Sequence, residues 1–136
     1  WVKLAPRGGN DYCDVRDVAH GIMAALERGQ TGRRYILGGE PLSFLDAFRQ
    51  IAEVVGVDPP WRHWRWPVRY GMPILARVQT WLTGVEPECN GAAIAISELP
   101  HHYSYARAAA ELGYTPRPAR AAIEAAWGWF GEQGYK

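Results

Sequence analysis

The sequence predicts an α/β chain that is mostly helical, with about five helices and one clear strand. Apolar residues recur at helical spacing in several segments, and one short β-type run follows the first of these segments. A helix directly before a buried strand is the order expected in an α/β unit. Because an ordinary sheet has about five or six strands, a single strand indicates that the chain is part of a larger domain.

The first helix is predicted over residues 15–28. Asp14 is a good N-cap, Gly29 is a typical stop, and Asp14 and Asp17 place carboxylates at the positive end of the helix dipole. An apolar stripe follows the helical period and consists of Val15, Val18, Ala19, Ile22, Met23 and Leu26. The run Arg34–Leu37, which ends in Gly38-Gly39, is predicted to be the strand and needs a sheet to join.

Three further helices have recognisable ends. A capping-box pattern at Ser43 begins a helix that Gly56 closes, with an apolar face of Phe44, Phe48, Ile51, Ala52 and Val55. Ser104 is expected to cap a short helix to Leu112, and a last helix is expected after Pro118, with Ala122, Ile123, Ala126, Trp127 and Phe130 on one side.

The middle of the chain is less regular. Residues 59–66 read as a loop or irregular strand, and Pro67 suits the first turn of a helix that runs to about Leu82. Pro73 removes a hydrogen bond from that helix, so a kink or restart is expected there. For residues 85–100, a strand and a short helix both stay open.

Composition and charge limit the functional classes, because a nucleic acid or an anionic membrane would have to bind at a local basic patch. Fifteen basic and fourteen acidic residues leave a net charge of +1, which provides no global field for nucleic acid or an anionic membrane. Cys13 and Cys89 are too few for a disulfide framework or zinc site, so we expect reduced thiols in a cytoplasmic protein. No apolar run is long enough to span a bilayer. Because the chain begins at Trp1 rather than Met, we expect the natural protein to begin upstream.

Common catalytic and cofactor motifs are absent. No G-x-G-x-x-G run occurs, and the pairs Gly8-Gly9 and Gly38-Gly39 are better explained as turns or strand ends. The pair His101-His102 with Glu98 lacks the spacing of a metal site and reads as a surface loop. We therefore expect no catalytic, cofactor-binding or metal-binding residue within this chain.

The segment from Trp61 to Arg69 interleaves tryptophan with arginine. Such a segment can stack on bases, lie at a membrane interface, or cover a groove in a larger enzyme. Packing onto another domain is the favoured interpretation, a membrane role comes second, and nucleic acid is the least favoured partner.

Three segments together carry a family resemblance: 10–21 (Asn-Asp-Tyr-Cys-Asp-Val-Arg-Asp-Val-Ala-His-Gly), 32–40 (Gly-Arg-Arg-Tyr-Ile-Leu-Gly-Gly-Glu), and 104–116, which begins Ser-Tyr-Ala-Arg-Ala. In this order they resemble the C-terminal half of an extended short-chain dehydrogenase/reductase of the NAD-dependent epimerase/dehydratase family. The most similar branch contains hopanoid-associated sugar epimerases and dihydroflavonol-reductase-like proteins.

The resemblance implies an incomplete enzyme. Residues 1–40 would supply the last helix and strand of an NAD(P)-binding Rossmann domain, and residues 41–136 would form a helical substrate-binding lobe with the C-terminal helix. The family's catalytic Tyr with a Lys four residues later is absent, because the only lysines are Lys3 and Lys136. The chain would then be the substrate-binding part of an NAD(P)-dependent sugar epimerase/dehydratase or ketone reductase, inactive without the N-terminal half. Its expected partners are that half, a sugar-like or carbonyl substrate, and a second copy in a homodimer.

The resemblance also points to site residues. Asn10 and Tyr12 lie where family members meet substrate, and Glu98 lies near a position used for a ribose hydroxyl. Relatives that act on UDP-sugars have at position 10 an arginine that clamps pyrophosphate. Because Asn10 stands there, a neutral, more apolar ketone or aldehyde is favoured over a nucleotide sugar.

A second class of function stays open beside the enzyme. The chain would be a stand-alone helical interaction module or a membrane-peripheral module that docks through Trp61–Trp66. This alternative predicts a partner without any nicotinamide cofactor.

Overall fold

The computed structural model describes residues 3–85, 87 and 91–135. Cys89 lies outside them, and so do the side chains of Trp66, Val68 and Arg69. The described part contains six helices: α1 (Val15–Arg28), α2 (Phe44–Val55), α3 (Trp66–Thr83), α4 (Gly91–Ser97), α5 (Ala106–Leu112) and α6 (Ala119–Glu132). It also contains five short strands: β1 (Leu4–Ala5), β2 (Gly9–Tyr12), β3 (Glu40–Ser43), β4 (Arg62–His63) and β5 (Pro100–His101). The predicted α/β class, mostly helical with few strands, is confirmed.

The strands form two small sheets. β1 pairs in parallel with β4, so of the loop and the irregular strand left open for residues 59–66, a two-residue strand is present. β2 is the middle strand of the second sheet, antiparallel to β3 and parallel to β5. Asn10 pairs with Leu42 on one side and His101 on the other. The second sheet thus joins three segments that are far apart in the sequence.

The predicted strand Arg34–Leu37 does not form within this chain, and its expected pairing with the sheet of the Rossmann half stays a prediction. No strand of the described part pairs with this run, and the neighbouring strand β3 starts only at Glu40, after both glycines. Tyr35 and Leu37 instead pack against the cluster of Ala24, Ala108, Leu112 and Tyr114. A β-ladder needs a hydrogen-bonding neighbour, and local sequence cannot tell whether one is present.

Helix caps follow the sequence signals closely. The Asp14 side chain accepts a hydrogen bond from the Arg16 backbone N–H at 2.8 Å, and the Ser43 hydroxyl accepts one from the Asp46 N–H at 3.0 Å. Gly56 closes α2 in the left-handed region at φ +78°. These contacts confirm the predicted starts of α1 and α2, because capping is a local interaction that the sequence itself specifies.

The later helices depart from prediction in detail. α3 runs through Pro73 as one helix, so the predicted restart is wrong. Residues 85–100, left open above, include the short helix α4 and the start of β5. α5 begins at Ala106 with Tyr105 in the cap position, although the Ser104 hydroxyl still accepts a hydrogen bond from the Ala106 N–H at 3.3 Å.

The apolar stripe of α1 faces away from the core. Val15 and Leu26 are 78% and 76% exposed, and Ile22 and Met23 are each more than half exposed. The buried side of α1 carries Asp17, Gly21 and Ala24 instead. An apolar stripe on a helix ordinarily packs against a core. Here the small residues do so, because Gly21 lets the helix approach the side chain of Leu37 more closely than a Cβ would allow.

Tyr114 joins this core to the glycine pair before β3. Its buried hydroxyl donates a hydrogen bond to the Gly38 carbonyl at 2.9 Å, and burial raises its pKa to about 12, so the donor proton is retained. We expect Tyr114→Phe to lower the free energy of unfolding by about 1 kcal/mol, because the carbonyl loses its partner. Urea unfolding measures this, with the exposed Tyr103→Phe as control. Equal stabilities of the two variants would contradict the expectation.

Candidate functional site

Strand β2 holds two of the three predicted site residues. Asn10 and Tyr12 are two positions apart on the strand, so their side chains lie on the same face of the sheet. Asn10 is exposed, and its side-chain oxygen accepts a hydrogen bond from the Asp11 N–H at 3.0 Å. Tyr12 is half-buried, and burial raises the pKa of its phenol, which keeps the hydroxyl protonated as a donor. The face thus offers an amide and a phenol, both uncharged.

Glu98 lies at the other end of this strand. Its carboxylate accepts hydrogen bonds from the Trp64 indole N–H and from the Arg7 backbone N–H, the latter at 3.4 Å. Arg7 precedes Tyr12 by five residues, which is roughly 15 Å along an extended chain. The structure therefore brings Asn10 and Tyr12 together and places Glu98 where it links the segment before β2 to the segment before α3.

A third polar group on β2 had no signal in the sequence. Asp11 points to the face opposite Asn10, accepts a hydrogen bond from the Tyr103 N–H at 2.8 Å, and lies 3.4 Å from the His102 ring nitrogen. These residues border an open cavity of about 540 Å³ together with Gly39, Pro41, Ser104, Tyr105 and Ala106. His102 was interpreted above as a surface-loop residue, and it is indeed exposed. The separation of 91 positions between Asp11 and His102 explains why no motif reveals the pair.

A larger groove of about 770 Å³ runs between the start of α1 and the C-terminal half of α6. Cys13 and Val15 lie on one side of it, and Trp129 and Phe130 lie on the other. Burial is the main cause that raises the pKa of the Cys13 thiol, which favours the unreactive protonated form. This groove is mainly apolar and lies beside the exposed stripe of α1.

Two buried aspartates link α1 to the turn before α6. Asp17 accepts a hydrogen bond from the Arg117 backbone N–H at 2.8 Å, and Asp14 lies 3.4 Å from the Arg117 guanidinium. The Arg16 side chain also donates to Asp14 at 2.9 Å and is the main cause that holds the pKa of this carboxyl well below its usual range. The predicted role of these carboxylates at the helix start is confirmed for Asp14, and both serve tertiary contacts as well.

Backbone atoms of neighbouring segments fill the space beside the glycine pairs. A Cβ on Gly9 would lie 2.4 Å from the Leu42 carbonyl oxygen, and one on Gly39 would lie 2.0 Å from that of Tyr12. Neighbouring strands therefore fill the space that a pyrophosphate would need beside Gly9 and Gly39, and these two glycine pairs do not fit a dinucleotide-binding turn. Within the described residues, no group of three or more His, Cys, Asp or Glu side chains could hold a metal ion, and no helix there is long and apolar enough to cross a membrane.

Comparisons with known proteins agree with the resemblance seen in the sequence. A curated Synechocystis protein, named as a candidate dihydroflavonol 4-reductase, is 30% identical over 135 residues that cover 93% of this chain. The crystal structure of gox2253 superposes on 98% of the chain with a TM-score of 0.76 and 35% identity. The chain matches the C-terminal portion of an extended short-chain dehydrogenase/reductase.

Other reductase-like structures share the fold. PA4631 from Pseudomonas aeruginosa, described as a nucleoside-diphosphate-sugar epimerase, matches 98% of the chain with a TM-score of 0.68 and 26% identity. RMD from the same organism, solved with NADPH, matches with a TM-score of 0.60 at 14% identity and supports the fold alone. No family model matches the chain.

The chain matches only part of the length of each relative. The chain spans 38% of the curated dehydrogenase/reductase relative and 40% of gox2253. About three-fifths of each relative thus lies outside the matched region. The division of this chain into residues 1–40 and 41–136 stays a prediction.

Proposed function

We propose that this chain is the substrate-side part of an NAD(P)-dependent sugar epimerase, dehydratase or carbonyl reductase. The observation that carries the proposal is the match of 93% of the chain, at 30% identity, to 38% of the Synechocystis dihydroflavonol 4-reductase relative. The Rossmann half, with the cofactor site and the catalytic Tyr/Lys pair, would lie in the rest of the protein. We expect the complete enzyme to be cytoplasmic.

The outward stripe of α1 supports a missing neighbour. Val15, Ile22 and Leu26 recur at helical spacing and are more than half exposed, whereas the opposite side of the helix is buried. An apolar face of this kind costs free energy in water and is typical of an interaction surface. The Rossmann half is the occupant that the partial match favours.

Asn10 and Tyr12 are the residues we assign to substrate contact. An amide can donate and accept, and a protonated phenol can donate, so the pair suits hydroxyl and carbonyl groups. Neither carries the positive charge that a pyrophosphate favours. The substrate class proposed is therefore a neutral sugar or carbonyl compound. The ribose contact of Glu98 stays a prediction that the geometry does not favour, because its carboxylate already bonds to Trp64 and Arg7.

Nicotinamide binding tests this function. Isothermal calorimetry with NADH and NADPH is run on this chain and on the complete protein of which it is part. We expect the complete protein to bind nicotinamide and this chain not to bind it, because backbone atoms fill the space beside Gly9 and Gly39. A substrate screen on the complete protein then compares nucleoside-diphosphate sugars with neutral ketones and aldehydes.

The two other outcomes point elsewhere. Absence of binding by the complete protein would overturn the proposal and leave the stand-alone interaction module as the better interpretation. Nicotinamide binding by this chain in isolation would mean that it has a cofactor site formed by residues other than its glycine pairs.

A further inference from the structure

Helix α3 presents an apolar stripe to solvent. Ala76 is buried where α3 packs against α4. With about 100° of rotation per residue, Ile74, Val78 and Trp81 share one side of the helix, on the side opposite Ala76. Five exposed side chains form this stripe: Ile74, Leu75, Val78, Trp81 and Leu82. Trp81 is the most exposed of them, at 83%.

The segment that carries this stripe is locally basic, between Asp58 on one side and Glu86 on the other. Residues 59–85 contain four arginines and no aspartate or glutamate, although the whole chain has a net charge of only +1. The rest of the chain therefore carries a net charge of −3. Arg77 is exposed and lies beside Ile74 and Trp81 on the helix surface. The outward stripe of α1 differs in this respect, because Arg16 is paired with Asp14 and Arg28 adjoins Glu27.

Tryptophan is concentrated in the same segment. Four of the seven tryptophans lie between residues 61 and 81. Trp61 is 60% exposed and has the Arg62 guanidinium stacked 3.7 Å from its ring centroid. Trp64 differs, because its indole bonds to Glu98. The outward aromatic surface thus lies on α3 and at Trp61 rather than across the whole loop.

We propose that the stripe of α3 binds the surface of an anionic bilayer. A helix with one apolar face, interfacial tryptophan and flanking arginine lies in the headgroup plane, with its apolar side chains at the acyl boundary. The exposed side chains of Arg62, Arg65 and Arg77 favour anionic lipid, at about a fivefold gain in binding for each arginine near the surface. The stripe from Ile74 to Leu82 gives a contact about 12 Å long. This inference does not depend on the proposed enzymatic function.

Vesicle sedimentation of the complete protein tests the inference. The vesicles are phosphatidylcholine alone, or phosphatidylcholine with one-third phosphatidylglycerol. We expect sedimentation with the second kind only, and a loss of binding as salt rises, because salt screens the attraction. Arg77→Glu should weaken binding more than fivefold, since it removes one positive charge and adds a negative one.

Matched variants distinguish binding through the α3 stripe from binding through any exposed tryptophan or arginine. Trp81→Ala should weaken vesicle binding at least fivefold, whereas Trp129→Ala, at an exposed tryptophan of α6, should leave it unchanged. Arg33→Glu, at an exposed turn before β3, is the charge control. Thermal unfolding of Trp81→Ala should match the parent protein, because the side chain is exposed.

Three results would overturn the inference. The first is that the complete protein fails to sediment with phosphatidylglycerol vesicles, and the second is that Trp81→Ala and Arg77→Glu sediment as well as the parent protein. The third is that sedimentation velocity shows a dimer, with α3 covered, that Trp81→Ala dissociates. A protein that binds nicotinamide but no vesicle would leave the proposed function standing.

Discussion

Asp14→Ala is expected to lower the free energy of unfolding of the complete protein by about 3 kcal/mol. The buried carboxylate caps α1 through the Arg16 N–H and also receives hydrogen bonds from the Arg16 and Arg117 side chains. Alanine removes the cap, typically about 1 kcal/mol, and charge-assisted bonds of about 1.5–3 kcal/mol, reduced here because both arginines are partly exposed. Urea unfolding measures the loss.

Asp14→Asn separates the two contributions. Asparagine is an equally good cap, so this variant should keep the capping bond and lose only the charge, at about half the cost of alanine. The pKa of Asp14 is depressed in the folded state, so its stabilisation is complete above the ordinary aspartate pKa of about 4 and is lost as pH falls toward the folded pKa. The stability gap between parent and Asp14→Asn should therefore shrink below about pH 4. A gap that is constant with pH would mean that the charge does not stabilise the fold.

Local signals in the sequence predicted local structure well. Asp14 and Ser43 cap their helices as expected, and Gly56 and Gly113 both close helices in the left-handed region. Each of these features depends on contacts within about one helical turn. The sequence therefore contains everything that determines them.

Non-local pairing is where prediction from the sequence failed. Arg34–Leu37 has the composition of a strand, yet within this chain it packs against helices because no described strand lies beside it. Pro73 was expected to interrupt α3, but the helix continues through it. Loss of one hydrogen bond at a proline costs only a few kcal/mol, which the remaining helical contacts can offset.

In the candidate site, too, the sequence predicted the local arrangement and missed the contacts between distant segments. Asn10 and Tyr12 share a face because alternation along a strand is a local property. Glu98 and the Asp11–His102 pair depend on where β5 joins the sheet, about 90 residues away in the sequence. A resemblance to a family can suggest which residues meet substrate. Only the fold reveals that Glu98 instead bonds to Trp64.

Leu26→Ala is expected to destabilise the complete protein by about 2–5 kcal/mol, although Leu26 is 76% exposed in this chain. The reason is the proposed packing of the α1 stripe against the Rossmann half, which would bury this side chain. An exposed surface substitution would change the stability by no more than about 0.5 kcal/mol. The two values differ enough for urea unfolding of the complete protein to distinguish them.

Leu112→Ala is the matched control for this experiment. Leu112 is 1% exposed within the core of this chain, so the same Leu→Ala change should cost about 2–5 kcal/mol whatever covers α1. Equal losses for the two variants would mean that the stripe is as buried as the core. A loss at Leu112 with none at Leu26 would mean that α1 faces water in the complete protein, contradicting the proposed docking of the Rossmann half. Because both changes remove the same atoms, the difference between them reports how tightly each side chain is packed.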